Sequence, residues 1–129
     1  SIHDYTGLCA PSILQEAIAR YLSEYDSGRE YTASVKEKCK NSYAYMKKAM
    51  TQLGFAVKES HGGYFLWAQL PPPHTDAFTF AQELYNRGQV AVVPGENFSR
   101  TKRDYIRVNI GTRMPIIREA ISRIKGFFI

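Results

Sequence analysis

Asp104-Tyr105-Ile106-Arg107-Val108-Asn109-Ile110-Gly111 reads as a strand with two chemically different sides. Ile106, Val108 and Ile110 alternate with Tyr105, Arg107 and Asn109, so an extended backbone turns three aliphatic side chains into a core and the other three away from it. A guanidinium is thereby placed on a rigid element. Its planar fork of N–H donors matches a planar anion such as a carboxylate, which it can grip with two parallel hydrogen bonds. From the strand by itself, the plainer alternative is a solvated arginine beside a tyrosine.

Toward the N-terminus, Val90-Ala91-Val92-Val93 reads as a short buried strand, and Pro94-Gly95 turns the chain into the loop that leads to the arginine strand. Asp76 is placed to cap a helix running through Tyr85, with Gly88 beyond it as a stop. Tyr64-Phe65-Leu66-Trp67-Ala68-Gln69-Leu70 is apolar at nearly every position, as expected of a central strand covered on both faces. It forms a hairpin with Phe55-Ala56-Val57-Lys58 through a turn from Glu59 to Gly63. Before the hairpin, Val35, Cys39, Tyr43, Met46, Met50 and Leu53 recur at spacings of four and three, and Gly54 follows as a C-terminal stop. That pattern predicts a long amphipathic helix, with Lys36, Lys38, Lys40, Lys47 and Lys48 mostly on its solvated side. Pro11 opens an earlier helix reaching about Tyr25, with Ile13, Leu14, Ala17, Ile18, Tyr21 and Leu22 at helical spacing, and Asp26-Ser27-Gly28 breaks it. Beyond the arginine strand, Ile116, Ile117, Ala120, Ile121 and Ile124 mark a final helix. The sum is an α+β domain: two N-terminal helices followed by a small, about four-stranded, mostly antiparallel sheet with helices packed on it.

A chain of 129 residues, 44% hydrophobic and 13% aromatic, has enough apolar surface for one packed core, which excludes a disordered tail. No apolar run reaches the roughly 20 residues that cross a bilayer, and no signal-peptide order opens the chain, so a cytoplasmic protein is expected. The first residue is Ser1, not Met, as expected of a piece excised from something longer. Cys9 and Cys39 stand far apart without neighbouring ligands and indicate neither a zinc site nor a disulfide framework. His3, His61 and His74 fall in loops with no acidic or nucleophilic partner at a telling spacing. The net charge is +5, and eight of the 17 basic residues lie between positions 100 and 125 against Asp104 and Glu119. A basic end of this kind suits nucleic acid or small anions. Gly63-Tyr64-Phe65-Leu66-Trp67 loosely matches an aromatic RNA-binding strand, but without the basic residue before the glycine or the spaced aromatics that stacking needs. A nucleic-acid-binding module therefore stands as an alternative, beside a non-catalytic interaction domain derived from an enzyme.

Five segments, in order, carry a resemblance to a known family. Gly62-Gly63-Tyr64-Phe65-Leu66-Trp67 resembles the glycine-glycine-aromatic strand of the class I and II, fold-type I aminotransferases that use pyridoxal phosphate. Val92-Val93-Pro94-Gly95-Glu96-Asn97-Phe98 resembles their valine-proline-glycine-x-x-phenylalanine turn, and Tyr105-Ile106-Arg107-Val108 resembles the strand bearing their substrate-binding arginine. Glu119-Ala120-Ile121-Ser122-Arg123-Ile124 is similar to the closing helix. Ala10-Pro11-Ser12-Ile13-Leu14-Gln15-Glu16-Ala17 resembles the helix that follows the cofactor lysine. The likeness covers essentially the whole chain.

The resemblance implies that residues 1–54 are a helical lead-in from a large domain and residues 55–129 a C-terminal small α/β domain. The parent would be a homodimeric enzyme exchanging an amino group between an amino acid and a 2-oxo acid, with pyridoxal phosphate bound by the large domain. Arg107 would hold the substrate α-carboxylate while the small domain closes over the site. No catalytic residue is implied here, because the cofactor lysine is absent and the fragment alone is expected to be inactive. Neither nucleic acid, membrane nor metal is implied as a partner. Gly62, Gly63, Pro94 and Gly95 are expected to set turn geometry, with Gly95 and Phe98 as candidates to line the substrate side, and Trp67 is expected in the core. Tyr64 departs from the smaller residue of many relatives. The stretch from Ile2 to Gln15 looks closest to the branch acting on kynurenine, glutamine, methionine or aromatic substrates.

Overall fold

The computed structural model describes residues 11–24 and 27–129, and the chain divides into two compact units, Ser1–Glu37 and Lys38–Ile129. In the first unit, helix α1 spans Ser12–Glu24. Its aliphatic residues recur at helical spacing as the sequence predicts, yet none is buried: Ile13 is 82% and Leu22 62% exposed. The expected end at Tyr25 and Asp26 of the expected break lie outside the described residues, as do His3 and Cys9, whereas Ser27 and Gly28, expected to belong to the break, are instead the first residues of the next helix.

Helix α2 spans Ser27–Gln52, and its residues from Lys38 onward belong to the second unit. Met46 and Met50 are fully buried and Tyr43 and Leu53 pack against the core, as their spacing predicts, whereas Val35 is exposed. Ser42 is buried beside this stripe. The helix ends at Gly54, which takes φ +89°. The Phe55 N–H reaches back to the Met50 carbonyl at 3.1 Å and the Gly54 N–H to the Thr51 carbonyl at 3.0 Å, the paired bonds of a Schellman cap. Phe55 and Met50 both enter the core, so the cap also fixes where the chain departs for the sheet.

The sheet has four strands, β1 Ala56–Val57, β2 Phe65–Gln69, β3 Val93–Pro94 and β4 Tyr105–Asn109, in the order β1-β2-β4-β3 with every pairing antiparallel. The predicted hairpin is the β1–β2 pair, and β2 lies between two neighbours, as a central strand should. Its far side is less covered than expected: Leu66 and Ala68 are buried, while Phe65, Trp67 and Gln69 are half-buried. The segment at 90–93 also departs from expectation. Only Val93 and Pro94 join the ladder, pairing with Arg107 and Ile106, and Val90 and Val92 pack against the core from a non-strand backbone. Proline at the second position has no N–H to extend the ladder, which accounts for the brevity of this edge.

Helix α3, Ala77–Gly88, begins at Asp76, whose carboxylate accepts from the Phe78 and Thr79 N–H groups at 2.9 and 3.1 Å, as predicted. Its end differs: Gly88 remains helical, and Gln89 takes the left-handed cap position with φ 53°. Helix α4 covers Met114–Phe127. Phe80, Leu84, Ile117 and Ile124 from these helices meet Leu66, Ala68, Ile106, Val108 and Ile110 from the sheet in one core. His74, expected as an exposed loop residue, is half-buried against the Phe80, Phe127 and Phe128 rings.

Tyr43 ties α2 to the segment after β1. Its hydroxyl donates to the Lys58 carbonyl and accepts from the Ser60 N–H, both at 3.1 Å. Lys47 and Glu59 pair on the surface beside it, where their mutual hydrogen bond raises the lysine pKa and lowers that of the carboxylate.

The positive φ at Gly54 makes Gly54→Ala a direct test of the cap. Adding a Cβ in the left-handed region is expected to cost about 1–2 kcal/mol, measured as a drop in chemical-denaturation stability.

Candidate functional site

Arg107 stands at the middle of β4, paired on one side with Trp67 of β2 and on the other with Val93 of β3. Ile106, Val108 and Ile110 on the opposite face are buried, so the predicted alternation is observed and the guanidinium emerges from the side of the sheet away from the core. Tyr105 shares that side but is itself buried, because Trp67 stacks on it at 5.6 Å with 18° between the rings.

The guanidinium carbon of Arg107 lies 4.1 Å from the ring centroid of Phe65 and 4.2 Å from that of Phe98. Phe65 reaches it diagonally across the β2–β4 pair. Phe98 is delivered by a separate element, at the end of a 3-10 turn, Gly95–Asn97. Trp67 meets the Phe98 ring edge-on at 6.0 Å and 76°, so one aromatic surface runs from Phe65 past Arg107 to Tyr105. Among the described residues, no acceptor is hydrogen-bonded to the guanidinium and no carboxylate is paired with it.

Other polar groups near this surface are engaged locally. The Gln69 amide donates to the Asp104 carboxylate at 2.6 Å, and the Tyr105 hydroxyl lies 3.4 Å from the Gln69 carbonyl oxygen. The Asn109 side chain accepts from the Gly111 N–H at 2.8 Å. Asp104, the acidic residue nearest in sequence, therefore has a partner other than Arg107.

The turn that delivers Phe98 depends on space at Gly95. A Cβ there would stand 2.2 Å from the Lys102 carbonyl oxygen and 2.8 Å from that of Tyr105, closer than any side chain tolerates. Glycine is required because two backbones meet, and not, as the sequence suggested, to set the dihedrals of a turn. The same expectation holds for Gly63, which takes φ +78°, but Gly62 shows neither constraint. The Phe98 and Ser99 N–H groups both bond the Gly95 carbonyl, at 2.9 and 3.0 Å, which fixes the direction in which Phe98 leaves the turn.

The remaining basic residues of the C-terminal third are distributed among other elements. Arg123 pairs with Glu119 at 2.6 Å, Arg118 lies over Tyr45, and Lys102 lies over Tyr105. A cavity of about 300 Å³ is lined by Met46, Val108, Ile117 and Ile124 with Glu119 and Arg123 at its polar side, and Arg107 takes no part in it. Among the described residues there is no group of three His, Cys, Asp or Glu placed to hold a metal, and no helix long and apolar enough to cross a membrane. Cys39 is a half-buried free thiol.

Sequence reasoning placed Arg107 but not its two aromatic neighbours. Phe65 was legible only as part of an apolar run, and Phe98 as the end of a turn and a candidate to line the substrate side, but not as a partner of Arg107.

Residues 5–124 match the family model of the class I and II aminotransferases. The probable N-acetyl-LL-diaminopimelate aminotransferase of Bacillus subtilis is 26% identical over 128 residues, 99% of this chain and 32% of its own length. Among solved structures, a Methanococcus jannaschii protein similar in its active site to kynurenine aminotransferases is 27% identical. It superposes with a TM-score of 0.81 over 93% of this chain and 31% of that one. A Pyrococcus protein, 18% identical, shares the fold with a TM-score of 0.89 over 97% of this chain and 32% of its own. The chain thus spans about a third of the length of the relatives it matches.

The clash at Gly95 predicts that Gly95→Ala displaces the turn, costing about 1–3 kcal/mol in denaturant stability. The Trp67 fluorescence should change with it, because Phe98 leaves the indole edge.

Proposed function

The chain belongs to the class I and II aminotransferases, and we propose that it is the C-terminal part of such an enzyme, with residues 1–54 leading from a larger domain and residues 55–129 forming the small domain. The complete protein is read as a cytoplasmic homodimer that exchanges an amino group between an amino acid and a 2-oxo acid. In this reading the chain supplies recognition: Arg107 binds the substrate α-carboxylate as a bidentate partner and orients the amino group for reaction.

The observation that carries the reading is the guanidinium of Arg107, fixed on an inner strand, flanked by rings and without an anionic partner among the described residues. The names of the relatives support it from another direction. One is named for N-acetyl-LL-diaminopimelate and another is described as similar in its active site to kynurenine aminotransferases, so the feature such substrates have in common is the α-amino acid group itself. An arginine that grips the carboxylate serves all of them. The family match also disfavours the nucleic-acid alternative.

The family implies pyridoxal phosphate, which supplies an electron sink for amino transfer when bound. The residues of this chain do not form its attachment site. A Schiff-base lysine is activated by desolvation or by a neighbouring cation, whereas seven of the eight lysines here are exposed and Lys47 is held by Glu59 with its pKa raised. In the proposal the cofactor is therefore held by the part of the enzyme outside these residues. What this chain does is bind, orient and exclude water: a carboxylate seated at Arg107 favours the state in which the small domain has closed, and the aromatic surface around it keeps that contact dry.

Arg107→Ala in the complete enzyme is expected to raise KM for amino acids and lower kcat/KM by about 100-fold or more, the loss of two charge-assisted hydrogen bonds. Arg107→Lys should recover little, since an ammonium cannot reproduce the fork. Steady-state kinetics measure both, and an unchanged kcat/KM would remove Arg107 from the site.

A further inference from the structure

We propose that Phe65 and Phe98 are positioning residues for Arg107: a two-ring clamp that fixes the plane of the guanidinium and leaves its in-plane edge as the surface a ligand can use. The inference rests on the reading of Arg107 as the carboxylate-binding residue, and it adds what holds that residue in place.

An arginine side chain that recognises a carboxylate must be held still, and the usual device is a hydrogen-bonded acidic or carbonyl partner behind it. Among the described residues none is present. Two aromatic rings at 4.1 and 4.2 Å from the same carbon take that role instead. Rings attract the cation through their faces and accept no conventional hydrogen bond, so they immobilise the group without consuming its N–H donors. They also displace water from around it, which strengthens the remaining electrostatic contact at its edge. An edge-on planar carboxylate fits such a slot.

The two jaws are unequal. Phe65 belongs to an inner strand, and its position follows from the β2–β4 register. Phe98 lies on the short turn after Gly95, is 50% exposed, and is steadied by its contact with Trp67. The clamp is therefore most sensitive at Phe98, where substitution leaves the core untouched.

The test uses the complete enzyme and four variants, Arg107→Gln, Phe98→Leu, Phe98→Trp and Phe65→Leu. KM and kcat are measured for an amino acid substrate, the Kd of propionate by calorimetry, and the unfolding temperature of each variant as a control. Phe98→Leu keeps apolar bulk but loses the ring face, and is expected to raise both KM and Kd about tenfold with kcat retained, the pattern of lost uniform binding. Phe98→Trp, a better cation partner, is expected to stay within about twofold of the original. A role in packing alone gives the reverse order, with leucine tolerated and tryptophan harmful. If Arg107→Gln weakens binding while Phe98→Leu does not, or if leucine and tryptophan impair it equally, the clamp is wrong and the role of Arg107 stands. If Arg107→Gln leaves Kd and KM unchanged, both readings fall. Phe65→Leu provides the second jaw; a Kd equal to that of the original protein in a folded variant also overturns the clamp.

Discussion

The pairing of β2 with β4 is the constraint on which the rest depends. Five consecutive residue pairs, from Phe65 with Asn109 to Gln69 with Tyr105, lock the two strands in one register. Because side chains alternate, that register puts Leu66, Ala68, Ile106 and Val108 together in the core and leaves Phe65, Trp67, Tyr105 and Arg107 together on the other side. A slip of one residue would bury a guanidinium and expose the aliphatic row, at a desolvation cost no local contact could offset. The core and the aromatic surface around Arg107 are thus two faces of the same pairing, and the stability of one enforces the geometry of the other.

The sequence was most legible where a single residue decides a local outcome. The cap at Asp76 and the helix stop at Gly54 were readable because each satisfies backbone groups within a few positions of itself. The alternation around Arg107 was readable for the same reason. The edge strand was less so: Val90 to Val93 has strand-forming composition, but whether it pairs depends on how far β4 extends beside it and on Pro94, and only two residues join the ladder. The neighbours of Arg107 were the least legible. Phe65 and Phe98 are distant in sequence and meet at one atom only after the sheet register and the Gly95 turn have both been set. No periodicity encodes such a meeting.

Helix α1 illustrates the opposite case, a pattern that was clear and a use that the pattern does not contain. Its apolar residues keep helical period, yet they remain exposed. Amphipathicity states that a face wants cover; it does not name the cover. The surroundings of Arg107 have the same incompleteness. A strand, a turn and two rings hold a cation in place, and no anionic partner is paired with it among the described residues. The sheet fixes where the cation stands, and its ligand has to come from outside these residues, as the cover of α1 does.

The crowding at Gly95 bears on how such a domain can diversify. Two backbones leave no room for a Cβ at Gly95, whereas Glu96 and Asn97, the next two residues of the same turn, are exposed. A crowded pivot followed by exposed positions is a favourable arrangement for evolutionary drift, because surface substitutions beside Phe98 cost the fold little. The surface beside Arg107 can then vary in charge and shape while the turn that delivers Phe98 is kept.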